Sequence, residues 1–165
     1  MLIRNVSESD YKSIITVLND WWGGRQMTDM LPKLFFTHFK DTSFVAENDG
    51  NIIGFIVGFI SQSYPGESYI HFVGIHPQYR GTGIGRQLYF TFFENVRHKG
   101  CKSVRCVTSP LNKASIAYHT AMGFVMENSN IIQENNPIHI DYDGYGQDRV
   151  LFIKRFADTI EEVKK

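Results

Sequence analysis

His76-Pro77-Gln78-Tyr79-Arg80-Gly81-Thr82-Gly83-Ile84-Gly85-Arg86 joins two segments of different character. Ser68 to His76, which leads into it, reads as a strand. Ile84 to His98, which leads out, sets Ile84, Leu88, Phe92 and Val96 on one helical stripe. Glycines at 81, 83 and 85 let the backbone turn sharply and present successive N–H groups. With the dipole of the following helix behind them, those groups form an anion site. Arg80 and Arg86 add charge and bidentate reach to phosphate oxygens. A diphosphate is the natural occupant. The dinucleotide fingerprint does not fit, because the glycine spacing is Gly-x-Gly-x-Gly and position 105 is Arg where an acid belongs. A P-loop does not fit either, because Gly85 is followed by Arg86-Gln87 and not by Lys-Ser/Thr.

Upstream, Leu2 to Val6 reads as a strand. Ser7, with Asp10 three residues later, reads as the capped start of a helix running to about Trp22, where Gly23-Gly24 stops it. Leu31 to Phe39 is a shorter helix opened by Pro32. Ser43 to Glu47 and Ile52 to Ser61 are strands joined by the hairpin signal Asn48-Asp49-Gly50-Asn51. Downstream, Lys102 to Thr108 is a strand, Lys113 to Met122 a helix and Phe124 to Glu127 a short strand. Asn128 to Gln147 is a long polar loop, Val150 to Phe156 a last strand, and the charged tail after Ala157 is expected to fray. The order is β-α-α-β-β-β-α-β-α-β-β, an α/β domain with a mixed central sheet flanked by helices. The 165 residues suit one domain, 1–165.

No apolar run reaches the ~18 residues that cross a bilayer, and the start lacks a signal-peptide profile, so a cytoplasmic protein with no membrane partner is expected. Cys101 and Cys106 lack metal-ligand spacing and read as a turn residue and a buried small hydrophobe, so no metal is expected. Formal net charge is zero, but Pro77 to Lys113 carries seven basic residues against Glu94 alone. Ala114 to Asp148 carries five acids and no Lys or Arg. The basic residues are too scattered among apolar ones for a nucleic-acid arm.

Arg80-Gly81-Thr82-Gly83-Ile84-Gly85 resembles the acyl-CoA-binding signature of the GCN5-related N-acetyltransferases (GNAT), Arg/Gln-x-x-Gly-x-Gly/Ala. Phe72-Val73-Gly74-Ile75-His76-Pro77 resembles that family's central strand. Asn112-Lys113-Ala114-Ser115 through Gly123-Phe124 resembles its Asn-x-x-(Ala/Ser)…Gly-Phe segment. The resemblance implies an acetyl-CoA-dependent N-acetyltransferase with a GNAT-like fold. Gly81, Thr82, Gly83, Ile84, Gly85 and Arg86 would hold the pyrophosphate. The backbone of Val73, Gly74 and Ile75 would line the pantetheine arm, between two central strands that splay apart. Asn112 and Ser115 would sit beside the arm, and a basic residue between 97 and 113 would meet the 3′-phosphate.

Acetylation needs a neutral amine, a polarised thioester carbonyl and a protonated leaving thiolate. Family members often carry Tyr four residues before the Gly-Phe pair as the acid. Here His119 holds that position, with Tyr118 one residue earlier. One step rotates a side chain by about 100°, so both cannot face the sulfur. His119 is the expected acid, and Tyr118 is expected to pack on the sheet. For the base, Glu67 and His71 are candidates beside a water chain. Tyr69, His71, Val73 and Ile75 would share one face of a regular strand. The implied acceptor side holds Trp22, Arg25, Asp141 and Asp143, a set suited to a cationic small-molecule amine, with Arg25 favouring one that also carries a carboxylate. A non-catalytic acyl-CoA-binding regulatory module, a protein or peptide amine as acceptor, and a homodimer all stay open.

Overall fold

The computed structural model describes residues 1–157, so the expected fraying of the tail after Ala157 lies outside the described residues. β1 (Leu2–Asn5) leads to Ser7, whose N–H donates to the Asp10 carboxylate at 2.7 Å, the expected capping box of α1 (Glu8–Ile15). The single helix expected as far as Trp22 is in fact two, with α2 at Leu18–Trp21. The break falls in the β-branched run Ile14-Ile15-Thr16-Val17, where the Thr16 hydroxyl donates to the carbonyls of Lys12 and Ser13. The second helix is also shorter than read, α3 at Leu34–His38, behind a 3₁₀ turn at Thr28–Met30. Leu31 precedes Pro32 and is held at φ −122°, ψ 79°, outside the helical region, so the helix cannot begin there.

β2 (Phe44–Asn48) and β3 (Asn51–Ile60) close on Asp49 (φ 49°) and Gly50 (φ 77°), the paired left-handed residues of a tight hairpin turn. β4 (Glu67–Ile75), α4 (Ile84–His98), β5 (Ser103–Thr108), α5 (Lys113–Ala121) and β6 (Val125–Met126) follow as expected to within a residue or two. The long loop then contains a small hairpin, β7 (Ile132–Gln133) and β8 (Asn136–Pro137), turned by Glu134 and Asn135 at positive φ. β9 (Val150–Arg155) completes a seven-stranded sheet of order β1-β2-β3-β4-β5-β9-β6, in which β4 and β5 are the parallel pair.

The sheet is covered on both faces. The stripe Ile84, Leu88, Phe92 and Val96 of α4 packs with Ile56, Ile70, Val104 and Phe152 on one face. α1, α2 and α3 pack Ile14, Leu18, Trp21 and Phe36 against Val45, Phe55 and Val57 on the other. Cys101 and Cys106 are both free and buried, and burial raises the Cys106 thiol, so both serve as small core residues. Phe92 is fully enclosed at the centre of the first face, and its ring fills the space a methyl group on Gly58 would need. Phe92→Ala is expected to lower unfolding free energy by about 3–5 kcal/mol in urea titrations.

Candidate active site

β4 and β5 pair over three positions only, Glu67↔Ser103, Ser68↔Val104 and Tyr69↔Arg105. Beyond Tyr69 the strands part. β4 stays paired to β3 as far as Ile75, and β5 stays paired to β9 along its whole length, so a gap opens between two well-anchored strands. The His76 N–H donates back to the Ile53 carbonyl of β3 at 2.9 Å. By alternation, Ile75 and Val73 turn their own polar groups toward the gap. Gly74 lies buried on the opposite side, beneath Phe55 and Trp22.

The glycine loop stands at the outer end of this gap. Gly81 (φ 77°) and Gly83 (φ 88°) are left-handed, and Gly83 caps α4. Among the described residues, no acceptor takes the backbone N–H of Gly81, Thr82, Gly83, Ile84, Gly85 or Arg86. The first bond of the helix is the Gln87 N–H to the Gly83 carbonyl. Six free donors at the N-terminus of a 15-residue helix form an anion cradle. The Thr82 hydroxyl donates to the Tyr79 carbonyl, which braces the turn. Arg86 reaches out over Phe90. Arg80 departs from expectation. Its guanidinium donates to the carbonyls of Trp21 and Ile75 and lies 5.8 Å from the Trp22 ring, so it ties α2 to the end of β4 and does not reach over the cradle.

β4 is not regular. Val57 pairs with Phe72 and Gly58 with Ile70, which leaves His71 as the extra residue of a bulge. Tyr69 stacks on Phe59 and His71 on Phe35, both on the α1–α3 face, and Phe72 packs on that face too. Val73 and Ile75 pack on the α4 face. The expectation that Tyr69, His71, Val73 and Ile75 share one face is therefore corrected, because the inserted residue shifts the alternation between them.

The expected phase of α5 is also corrected. His119 is buried at 7% exposure and stacked on Phe152 of the sheet. Its Nδ1–H donates to the Ser115 carbonyl at 2.8 Å, and its Nε2 accepts from the Tyr89 hydroxyl at 2.9 Å. Burial lowers its pKa, so it is held neutral with both nitrogens occupied. Such a group cannot readily give a proton to a thiolate. Tyr118, expected on the sheet, is half-exposed instead. A methyl group placed on Gly85 would come within 3.1 Å of its hydroxyl. Tyr118 lines a groove of about 410 Å³ with Arg86, Phe90 and Met122. Burial raises its pKa and Arg86 partly offsets this, so the phenol stays protonated at neutral pH. Asn112 caps α5, its Oδ1 accepting from the Ser115 N–H at 3.1 Å, and the Ser115 hydroxyl lies 3.2 Å from the His119 Nδ1. In this structure both residues hold the helix start and its histidine.

On the α1–α3 face, Trp22 lies against Phe72 with ring centroids 5.3 Å apart, and Arg25 is exposed close by in sequence. Asp141 and Asp143 are engaged within their own loop. The Asp141 carboxylate accepts from the Gly146 N–H, and Asp143 pairs with the Arg149 guanidinium at 2.7 Å. Burial chiefly raises the Tyr69 pKa, Tyr142 and Asp143 add to it and Arg149 partly offsets it, so this loop lies within electrostatic reach of β4. Glu67, a candidate base, is paired with Arg105 at 2.8 Å, and Arg105 also binds Glu127. That pairing commits Arg105 away from a cofactor phosphate.

The model of the acetyltransferase (GNAT) family matches residues 11–124. The chain belongs to that family. It is 33% identical over 89 residues to the L-2,4-diaminobutyric acid acetyltransferase of Nocardia farcinica, covering 54% of this chain and 46% of that protein. The chain thus spans about half the length of that relative. It is 29% identical over 135 residues to an acetyltransferase of Sodalis glossinidius, covering 78% and 90%. Among solved structures, the diaminobutyrate acetyltransferase of Paenibacillus lautus, bound to its substrate and coenzyme A, superposes with a TM-score of 0.70 at 20% identity, covering 96% and 97%.

For a GNAT chain, two features of the site escaped sequence reasoning. One is the bulge at His71, which no local signal marks, because it exists only in the pairing with β3. The other is Tyr89, the partner that turns His119 inward. It lies on the buried side of α4 one turn after Gly85, and that spacing was the available clue. His119 also has a consequence for stability. Its pKa is lowered in the folded state, so the unfolded chain binds the extra proton below the ordinary value of about 6.5. Its stabilising contribution is complete above that pH and drains away as pH falls toward the folded value. Denaturant titrations from about pH 8 to about pH 5 should show this loss in wild type and a flatter profile in His119→Gln.

Proposed function

We propose that the protein is an acetyl-CoA-dependent N-acetyltransferase that moves the acetyl group to a primary amine of a small molecule by direct attack on the thioester. The parting of β4 from β5, with the six-donor cradle at its outer end, carries this reading. A diphosphate fits the N–H groups from Gly81 to Arg86, and a pantetheine arm can pair like an added strand with Val73 and Ile75. Tyr118, with its protonated phenol on the cofactor side, is the better placed of the two α5 candidates to donate to the cofactor or its departing sulfur. His119 is assigned to the core. The amine nitrogen forms the new C–N bond, the C–S pair leaves on sulfur, and the thiolate takes a proton.

The acceptor approaches from the opposite face, past Trp22, Arg25 and the loop carrying Asp141 and Asp143. A diaminocarboxylate, the class acted on by the Nocardia relative, has the ammonium groups and the carboxylate that this mixture would meet. Asp143 shares its charge with Arg149, so its pull on an ammonium is modest. Asp143→Asn should raise the acceptor KM by a few-fold at most, as exposed pairs contribute about 0–1 kcal/mol, and leave the acetyl-CoA KM unchanged.

The decisive test is cofactor binding. Gly83→Asp sets a carboxylate and a left-handed β-carbon at the cradle, and a variant shown folded by circular dichroism should lose acetyl-CoA binding in calorimetry. Unchanged affinity would defeat the reading. Release of CoA by wild type with L-2,4-diaminobutyrate, other amino acids, diamines, aminoglycosides or peptides then names the acceptor. Tight acetyl-CoA binding without turnover on any of them would point to a regulatory acyl-CoA-binding module.

A further inference from the structure

We propose that His71 takes the proton from the acceptor nitrogen, an assignment that rests on the acetyltransferase reading above. Three observations converge on this side chain. It is the bulged residue of β4, two positions past Tyr69↔Arg105, the last pair that joins β4 to β5. It therefore stands where the gap begins. Its ring lies on the α1–α3 face, opposite Val73 and Ile75, so it meets the gap from the acceptor side while the cofactor cradle meets it from the other.

The second observation is the tautomer. His71 Nε2 lies 2.8 Å from the Met30 carbonyl, which can only accept, so Nε2 carries the hydrogen. Nδ1 is left with its lone pair. Among the described residues it has no hydrogen-bond partner, and it is not one of the buried side-chain atoms left without one. The ring is stacked on Phe35, with centroids 4.7 Å apart and planes within 17°, which holds that lone pair in a defined direction. A base whose second nitrogen is fixed by a carbonyl is already in its reactive form.

The third is the lack of a rival on this strand. Glu67 lies at the start of β4, before the gap, and its carboxylate is bound to Arg105. The charged and titratable groups carried by the elements packed against His71 are Asp29 beside Met30, Lys33 and His38 around α3, and Tyr69 on β4. Asp143 and Arg149 lie in the loop beyond Tyr69.

The acceptor ammonium passes one proton to His71 Nδ1, the freed lone pair forms the C–N bond to the thioester carbon, and the nitrogen sheds its second surplus proton to water as the amide forms. The C–S electron pair leaves on sulfur, which takes its own proton from Tyr118 or water. His71 then returns its proton to solvent.

The test uses the whole chain with L-2,4-diaminobutyrate, putrescine and phenethylamine as acceptors. His71→Gln keeps an amide able to donate to Met30 but removes the base. It should lose about 10²–10⁴-fold in kcat with acetyl-CoA affinity unchanged. The deficit should shrink as pH rises toward the amine's own pKa, a change that a purely structural role would not produce. Imidazole should partly restore His71→Ala. Nitrogen NMR of the wild-type histidines should show His71 as the Nε2–H tautomer without any substrate. An Nδ1–H tautomer, or both variants within about threefold of wild type across the pH range, overturns the assignment while leaving the acetyltransferase reading intact. A wild type that binds no acetyl-CoA overturns both.

Discussion

The backbone of β4 has two partners to choose between, and the site depends on how that choice changes along the strand. From Glu67 to Tyr69 it bonds to both β3 and β5, and from Ile70 to Ile75 to β3 alone. Leaving a central strand half-paired exposes N–H and C=O groups that the interior would normally require to be satisfied. The loss is bearable because it is confined to a few residues, because β5 gives up nothing on its β9 side, and because the open edge faces a gap that an extended ligand can fill. The bulge at His71 falls in the same stretch and re-aims the side chains on either side of it, so it decides what lines the opening.

The two faces of the sheet are thereby given different work. On the α4 face, the glycine loop delivers unpaired N–H groups to the mouth of the gap, and α5 packs close enough that a side chain on Gly85 would crowd the Tyr118 hydroxyl. On the α1–α3 face, aromatic rings from Trp22, Phe35, Phe72 and Tyr69 flank the same opening. Arg80 links the two sides. Its bonds to the carbonyls of Trp21 and Ile75 hold the short α2 against the end of β4, where a four-residue helix has little cohesion of its own.

Charge follows space and not chain order. The basic band before residue 113 and the acidic band after it look like two opposed surfaces when read linearly. In the fold they meet, with Arg105 bound to Glu127 and Lys113 to Glu134, while Glu67 and Arg149 from outside the bands pair with Arg105 and Asp143. Exposed pairs such as Lys113–Glu134 add little to stability, yet they cancel much of the field that the linear pattern suggests.

The order of the seven strands of the main sheet, the glycine cradle, the hairpin at Asp49-Gly50 and the stripe of α4 were legible from residues alone. Each is a local matter, set by φ preferences or by a periodicity of a few positions. Where reading failed at the site, the deciding partner lay far away in sequence. Whether His119 or Tyr118 faces inward depends on Tyr89 and Phe152, thirty or more positions distant, which offer a hydrogen bond and a stacking surface to one and not to the other. The faces of Tyr69, His71, Val73 and Ile75 depend on one unpaired residue opposite β3, and nothing in β4 itself announces it. Arg80 carries a phosphate-binding charge in any linear motif, but two carbonyls brought together by α2 and β4 claim it first. Local conformational preference determined the framework. Only tertiary contact decided which side chains enter the gap, because a side chain's direction is settled by the best partner within reach, and reach is a property of the folded chain.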